Sequence, residues 1–132
     1  MLVFYVTTDF DFVVNELDYF QYSLINDADI FLSSPYRVFT NIFIHADFVH
    51  FLGNILGLGL SSLYERRVGA KRFLLVLFIS FMVSNLSILF YSGDVVESGI
   101  SGGIFGLGAA GAILYCRLRP ICRESFGMVN DR

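Results

Sequence analysis

The feature that most limits how this chain can fold is the run from Phe73 to Tyr91, nineteen residues without one charged side chain. A helix in a soluble protein keeps a polar face toward water, and this run has none. A hydrocarbon core about 30 Å thick requires about 20 helical residues, which is close to the length of the run. The run therefore predicts a transmembrane helix and excludes a soluble bundle of buried helices.

Two further segments are nearly free of charge. Between Val38 and Leu63 the ionisable groups are His45, Asp47 and His50, and residues 100–116 contain no charged side chain. Hydrophobic residues make up 55% of the chain, and the mean hydropathy is +0.65. The sequence predicts an all-α multi-pass membrane protein with three complete transmembrane helices, at residues 36–63, 71–91 and 101–118.

The remaining residues divide into three segments. Residues 1–8 are interpreted as the end of a first, partial helix or as a short interfacial strand. Residues 9–35 are acidic and aromatic, with Val13, Leu17, Phe20 and Leu24 at helical spacing, which predicts an amphipathic helix in an external interfacial loop. Residues 119–132 begin beside Pro120, which ends the last helix, and are expected to form a disordered cytoplasmic tail.

Basic and acidic residues are segregated along the chain. Eight of the nine Lys and Arg residues lie in the 64–72 connection or after residue 116, and Arg37 is the exception. Nine of the twelve acidic residues lie elsewhere: six in residues 9–35, Asp47 in the first expected span, and Asp94 and Glu97 in the connection before the last span. The protein is predicted to lie in the cell membrane. Because basic loops stay on the cytoplasmic side, the 64–72 loop and the C-terminus are predicted to face the cytoplasm. The net charge of −3 averages two unlike faces and gives no indication of nucleic-acid binding.

Polar side chains occur deep in the first expected span. His50 and Asn54 are four residues apart and therefore share a helix face. They either hydrogen-bond a neighbouring helix or line a functional cavity. His45, five residues before His50, lies about 140° away on the same helix, which argues against a shared metal site. No metal and no cofactor are predicted.

The stretch "SGISGGIFGLGAAG" opens the last span. Gly102 and Gly106 have the spacing that lets membrane helices approach closely. Ser101 has two interpretations. It caps free N–H groups at the helix start, or it is a nucleophile favoured by the positive end of the helix.

Three segments taken together are more specific. "PYRVFTNIFIHADFVHFLGN", "YERRVG" and "GISGGIFGL" follow one another in the order and spacing of the rhomboid family of intramembrane serine proteases, which this chain resembles over about residues 35–114. The resemblance implies a rhomboid-like helical bundle, truncated so that the three complete spans are the second, third and fourth of six core helices.

The resemblance also implies roles for individual residues. Ser101 matches the nucleophile, and His50 and Asn54 match the residues that stabilise the oxyanion. Phe105 matches the aromatic position beside the catalytic imidazole. Residues 36–37 resemble the aromatic-Arg motif of the first external loop, and Glu65 and Gly69 match a structural motif at the inner end of the second helix.

The implied activity is endopeptidase cleavage of membrane-anchored proteins, with transmembrane protein substrates and the lipid bilayer as partners. The family's general base is a histidine on the sixth core helix, and no counterpart is found in this chain. We therefore expect these residues to be catalytically inactive by themselves. The alternative is a non-proteolytic rhomboid-like protein that binds client transmembrane helices. A channel or transporter fragment would place charges inside the spans, where almost none are found.

Overall fold

In a computed structural model, residues 16–118 are described, and they are mostly helical. The expectations for residues 1–8, for Val13 and for the tail at 119–132 lie outside the described residues. Three long helices dominate, with short elements before and between them. In chain order the elements are α1 (Glu16–Tyr22), β1 (Leu24–Ile25), α2 (Ala28–Ser33), α3 (Arg37–Thr40), a 3-10 turn (Asn41–Phe43), α4 (Phe48–Val68), α5 (Ala70–Ser87), a second 3-10 turn (Ile88–Phe90), β2 (Val96–Glu97) and α6 (Ser101–Leu118).

Helix α6 packs against both other long helices through its glycines. A Cβ added to Gly102 would lie 2.3 Å from Ser84 Cβ, and one added to Gly106 would lie 2.2 Å from Ser80 Cβ. These contacts run in opposite directions along the two chains, so α5 and α6 are antiparallel. On the other side Gly57 of α4 meets Ile104 of α6, and α4 runs parallel to α6. The expected packing role of the small residues is therefore seen in these contacts.

The first expected span, 36–63, is divided differently in the structure. Helix α4 begins at Phe48, twelve residues after the predicted start, and continues to Val68. Asp47 is its N-cap and accepts a hydrogen bond from the backbone N–H of His50 at 2.8 Å. A capping carboxylate satisfies the free N–H groups at the start of a helix. His45 therefore precedes α4, and Asp47 marks its start, so neither lies inside one continuous helix.

The expected helix over Val13–Leu24 ends earlier than the spacing suggested. Helix α1 ends at Tyr22, and Leu24 belongs to β1, where it is 1% exposed. Strand β1 pairs antiparallel with β2, with Leu24 opposite Glu97 and Ile25 opposite Val96. The spacing that predicted an amphipathic helix thus includes Leu24, whose side chain reaches the core from a strand rather than from a helix.

The tightest apolar core lies at one end of the long helices. It comprises Leu24, Val38 and Ile88, with Phe31, Met82 and Val95 packed against it. The long helices carry large apolar side chains on their outer surfaces, including Leu60, Leu74 and Phe78, as expected of helices that face lipid.

Two helical segments within residues 16–118 are long and apolar enough to cross a membrane, Ala70–Phe90 and Ser101–Leu118. They lie where the sequence placed the second and third spans. Helix α4 has 21 residues, about 32 Å, but its last turns include Glu65, Arg66 and Arg67. The three-span arrangement is therefore a proposal rather than an observation.

Candidate active site

The loop before α6 is held in place by bonds from several elements. The β1–β2 ladder fixes Val96 and Glu97, and the hydroxyl of Ser84 on α5 donates to Glu97 Oε1 at 2.7 Å. The next residue, Ser98, shares a hydrogen bond of 3.2 Å with the hydroxyl of Tyr19. The approach of the chain to α6 is therefore determined before the helix begins.

Gly99 brings this loop against the start of α4. Its φ of 84° lies in the left-handed region that favours glycine, and its N–H donates to Asn41 O at 2.7 Å. A Cβ at Gly99 would lie 3.0 Å from Asn54 Nδ2 and 3.3 Å from His45 Nε2. Glycine is thus required both by the backbone conformation and by the space between the loop and these two polar side chains.

Asn54 is the deepest polar side chain of α4 in this region. It is 6% exposed, and its Nδ2 has no hydrogen-bond partner among the described residues. His50 lies one turn before it on the same helix and is half-buried. A buried amide donor without an acceptor is rare in native structures, because desolvating it without a hydrogen bond costs about 1–3 kcal/mol.

His45 lies elsewhere than the sequence argument assumed. It precedes α4 rather than lying on it, and its ring centroid is 5.3 Å from that of His50 and 5.3 Å from that of Phe51. The 140° separation inferred for a continuous helix is therefore wrong, and the two imidazoles are neighbours. Burial, and to a smaller extent the nearby His50, lower the pKa of His45 from 6.5 to about 4.

Two histidines do not by themselves make a metal centre. No group of three or more His, Cys, Asp or Glu side chains suited to a metal ion occurs among residues 16–118. Structural zinc sites use four protein ligands and catalytic ones three.

Ser101 occupies the first turn of α6 and is half-buried. The N–H of Ile104 donates to the carbonyl of Ile100 at 3.2 Å. Ile100 therefore takes the N-cap position, because the N-cap carbonyl accepts the first helical bond, and Ser101 is the residue after it. In the part of the chain from residue 16 to residue 118, Ser101 Oγ forms no hydrogen bond to His50 or Asn54. Gly102 and Gly103 fix its position, because they hold this turn against Ser84 and Leu77 of α5.

The other motif residues have distinct surroundings. Phe105 is 77% exposed, so no described imidazole covers it. Arg37 donates through Nη1 to the carbonyls of Phe20 and Ser23, which ties α1 to α3. Gly69 ends α4 with a φ of 84°, and its N–H donates to Glu65 O at 2.7 Å.

The sequence analysis did not identify one buried pair of asparagines that holds the loop. Asn41 Nδ2 donates to Asn85 Oδ1 at 3.0 Å, and Asn85 Nδ2 donates to Val38 O at 2.8 Å. Both asparagines are buried. The signal was present, since Asn85 is a polar side chain in the middle of the uncharged run, where it needs a partner. Through Asn41, which also accepts from Gly99, this pair links α5 to the loop before Ser101.

Comparison with known proteins gave two matches of note. The family model of the rhomboid domain matches residues 32–130. Rhomboid-like protease 3 of Toxoplasma gondii is 31% identical over 98 residues, which cover 70% of this chain and 37% of that protein. The chain thus spans little more than a third of the length of this curated relative. No solved structure matches the chain.

Proposed function

Because this chain belongs to the rhomboid family, a family of serine proteases in membranes, we propose that it carries the nucleophile half of an intramembrane serine endopeptidase. One observation carries the proposal. The buried Nδ2 of Asn54 has no partner among the described residues and lies beside Gly99, two residues before Ser101. An amide donor kept free next to a helix-start serine suits an anionic oxygen that forms only during reaction.

The proposed chemistry assigns one role to each group. Ser101 Oγ attacks the carbonyl carbon of the scissile peptide bond, and its proton passes to a general base. The carbonyl oxygen becomes an oxyanion that accepts hydrogen bonds from Asn54, from His50 and from backbone N–H groups at the start of α6. The same base then protonates the leaving amine, and water releases the acyl group from Ser101.

The general base is the group for which these residues offer no good candidate. The sequence has two histidines, His45 and His50. The lowered pKa of His45 makes it a weak base, and His50 is assigned to the oxyanion. We therefore propose that the 132 residues alone do not turn over substrate. The proposed substrates are membrane-anchored proteins, by analogy with the family.

Imidazole supplied in solution tests the proposal. The purified chain in detergent is treated with a fluorophosphonate probe at rising imidazole concentration, and labelling of Ser101 is measured by mass spectrometry. We expect negligible labelling without imidazole and a concentration-dependent rise with it. Asn54→Leu is expected to lower the imidazole-dependent rate about 10²–10³-fold, the usual cost of losing an oxyanion donor.

Matched variants make each outcome informative. Ser101→Ala should abolish labelling, whereas Ser87→Ala should not change it, because Ser87 Oγ is bonded to Ser84 O within α5. Strong Ser101 labelling without imidazole would contradict the proposed inactivity of these residues. Absence of labelling at every imidazole concentration would contradict the nucleophile role and favour the binding of client helices instead.

The orientation is also a proposal and rests on charge. Arg66, Arg67, Lys71 and Arg72 cluster at the α4–α5 junction, which favours a cytoplasmic position for this end. A cysteine placed at Asp94, in the loop before α6, should then react with an impermeant maleimide in intact cells. A cysteine placed at Gly69 should react only after lysis, and the reverse pattern would overturn the orientation.

A further inference from the structure

The side chain of Ser84 on α5 contacts the chain on both sides of Ser101. Its hydroxyl donates a hydrogen bond of 2.7 Å to Oε1 of Glu97, which precedes Ser101 in the loop. A Cβ added to Gly102, the residue after Ser101, would lie 2.3 Å from Ser84 Cβ and 2.4 Å from Ser84 Oγ. One side chain therefore holds both ends of the short segment that carries the proposed nucleophile.

The hydrogen bond of Ser84 differs from those of two other serines in the long helices. Ser61 Oγ donates to Gly57 O at 2.8 Å, and Ser87 Oγ donates to Ser84 O at 2.7 Å, so both bonds stay within one helix. A serine in a helix commonly bonds a carbonyl three or four residues earlier in this way. Ser84 instead donates to a carboxylate outside α5. Such a bond is about twice as strong as one between neutral groups, so it is suited to holding a loop.

The other bonds of this loop attach it to elements that precede α5 in the chain. Glu97 pairs with β1, Ser98 bonds with α1, and Gly99 donates to Asn41 in the segment before α4. Ser84 adds a contact with the first turn of α6 itself. The loop is thus attached to three elements by these bonds, and Ser84 sets its position against the helix that follows it.

Residues 98–101 lie between the two contacts of Ser84, and the proposed chemistry depends on their position. A Cβ at Gly99 would lie 3.0 Å from Nδ2 of Asn54, and Ser101 follows two residues later. A shift of this segment along α5 would therefore change the distance between Ser101 and the amide donor. Displacement of a reacting group by about 1 Å costs about 10²-fold in rate.

We propose that Ser84 is a positioning residue for Ser101. Its Cβ, packed against Gly102, sets the distance between α5 and the first turn of α6. Its bond to Glu97 holds the preceding loop at the same point. Through these two contacts Ser84 keeps Ser101 near the amide of Asn54. This role rests on the nucleophile function proposed for Ser101.

Amide hydrogen exchange, measured residue by residue by NMR in micelles, tests the anchoring without any reaction. Ser84→Ala keeps the Cβ that packs against α6 and removes the donor to Glu97. The amides of Gly99 and Ile104 are bonded to backbone carbonyls. We expect them to exchange more than about tenfold faster in the variant, the usual effect of losing a hydrogen bond to a charged group. The amide of Leu107, about one turn further along α6, should not change.

The labelling assay with imidazole tests the positioning. At a fixed imidazole concentration, the maximal rate of Ser101 labelling and the probe concentration that gives half of it are measured separately. Ser84→Ala is expected to lower the maximal rate about 10- to 100-fold. The half-saturating probe concentration should stay the same, because probe binding does not require the attacking oxygen to be exactly placed.

Conservative and matched variants distinguish positioning from general damage. Glu97→Gln retains an acceptor oxygen for Ser84 and should keep most of the labelling rate, whereas Glu97→Leu should lower it as Ser84→Ala does. Ser87→Ala removes a hydroxyl whose bond of 2.7 Å stays within α5, and it should change neither exchange nor labelling.

A double variant tests whether Ser84 acts through the distance between Ser101 and Asn54. If it does, the effects of Ser84→Ala and Asn54→Leu do not multiply. Asn54→Leu should then cost less than about tenfold in the Ser84→Ala background, against about 10²–10³-fold in the unmodified chain.

The outcomes separate this proposal from the proposed function. Unchanged exchange of Gly99 and Ile104 in Ser84→Ala would overturn the anchoring. Effects of Ser84→Ala and Asn54→Leu that multiply independently would overturn the positioning, because they indicate a general structural effect. Faster exchange in Ser84→Ala, with no labelling of the unmodified chain at any imidazole concentration, would contradict the nucleophile function. Only the anchoring of the loop by Ser84 would then stand.

Discussion

Replacement of Gly106 by alanine tests the close packing of α5 and α6 that positions Ser101. A Cβ at residue 106 would lie 1.9 Å from Ser80 Oγ and 2.2 Å from Ser80 Cβ. Rotation about χ1 moves the Oγ of Ser80 away but leaves its Cβ in place. The helices must therefore separate by about 1 Å or more before the two Cβ atoms reach van der Waals contact.

The expected cost follows from two opposing effects. Overpacking a well-packed contact costs about 1–3 kcal/mol. Alanine also favours a helix over glycine by about 1 kcal/mol, which offsets part of that cost. Gly108→Ala on the same helix gains the same propensity without a clash, because nothing lies within 4 Å of its Cβ. The difference in unfolding free energy between the two variants therefore isolates the packing cost, which we expect to be about 1–3 kcal/mol.

The assay is equilibrium unfolding in mixed micelles, followed by circular dichroism, of Gly106→Ala, Gly108→Ala and the double variant Gly106→Ala/Ser80→Gly. With Ser80 reduced to glycine, the nearest remaining atom is its Cα at 3.7 Å, an ordinary contact. Measured against the single variant Ser80→Gly, the double variant should therefore show little further loss, and the cycle of these variants should give a coupling energy of about 1 kcal/mol or more. Equal stability of Gly106→Ala and Gly108→Ala would refute the argument from close approach.

Three further predictions concern the polar groups that support the site. Asn85→Ala leaves the buried amide of Asn41 and the carbonyl of Val38 without their partner, and we expect a loss of about 1–3 kcal/mol in the unfolding free energy. Because burial and the neighbouring His50 lower the pKa of His45 to about 4, the unfolded chain binds a proton that the native chain does not between pH 6.5 and 4. The free energy of unfolding therefore does not depend on this group above pH 6.5, and it falls by up to about 1.4 kcal/mol per pH unit between pH 6.5 and 4. Chemical unfolding of His45→Gln should lack that fall. Asp47→Ala removes the N-cap of α4 and should cost about 1 kcal/mol in thermal or chemical unfolding, whereas Asp47→Asn, which retains an acceptor oxygen, should cost much less.

The long apolar helices could be predicted because their signal is local. An uncharged run long enough to cross a bilayer identifies a helix wherever its neighbours lie, and α5 and α6 occur where the runs occur. The start of α4 could not be predicted in the same way. Uncharged and mostly apolar residues continue through positions 38–44, and only the cap at Asp47 and the bonds of Asn41 separate them from the helix.

In the candidate site too, some features could be predicted from the sequence and others could not. The family motifs selected Ser101, His50 and Asn54 from their order and spacing, and the sequence alone was sufficient for that selection. Sequence spacing misjudged His45, because the angular argument assumed that residues 45–50 form one helix. It also gave no reason to connect Asn41, Asn85 and Gly99, which are 44 and 14 residues apart along the chain.

The sequence by itself determined which segments are apolar enough for a membrane, which end carries the positive charge, and which residues belong to a recognisable motif. Each of these depends on side-chain chemistry at fixed separations along one chain. Only the tertiary structure decided that Gly99 lies against Asn54 and that α5 and α6 meet at Gly102 and Gly106. Those features depend on how closely helices approach across space, which is set by contacts of less than 4 Å between residues distant in the sequence.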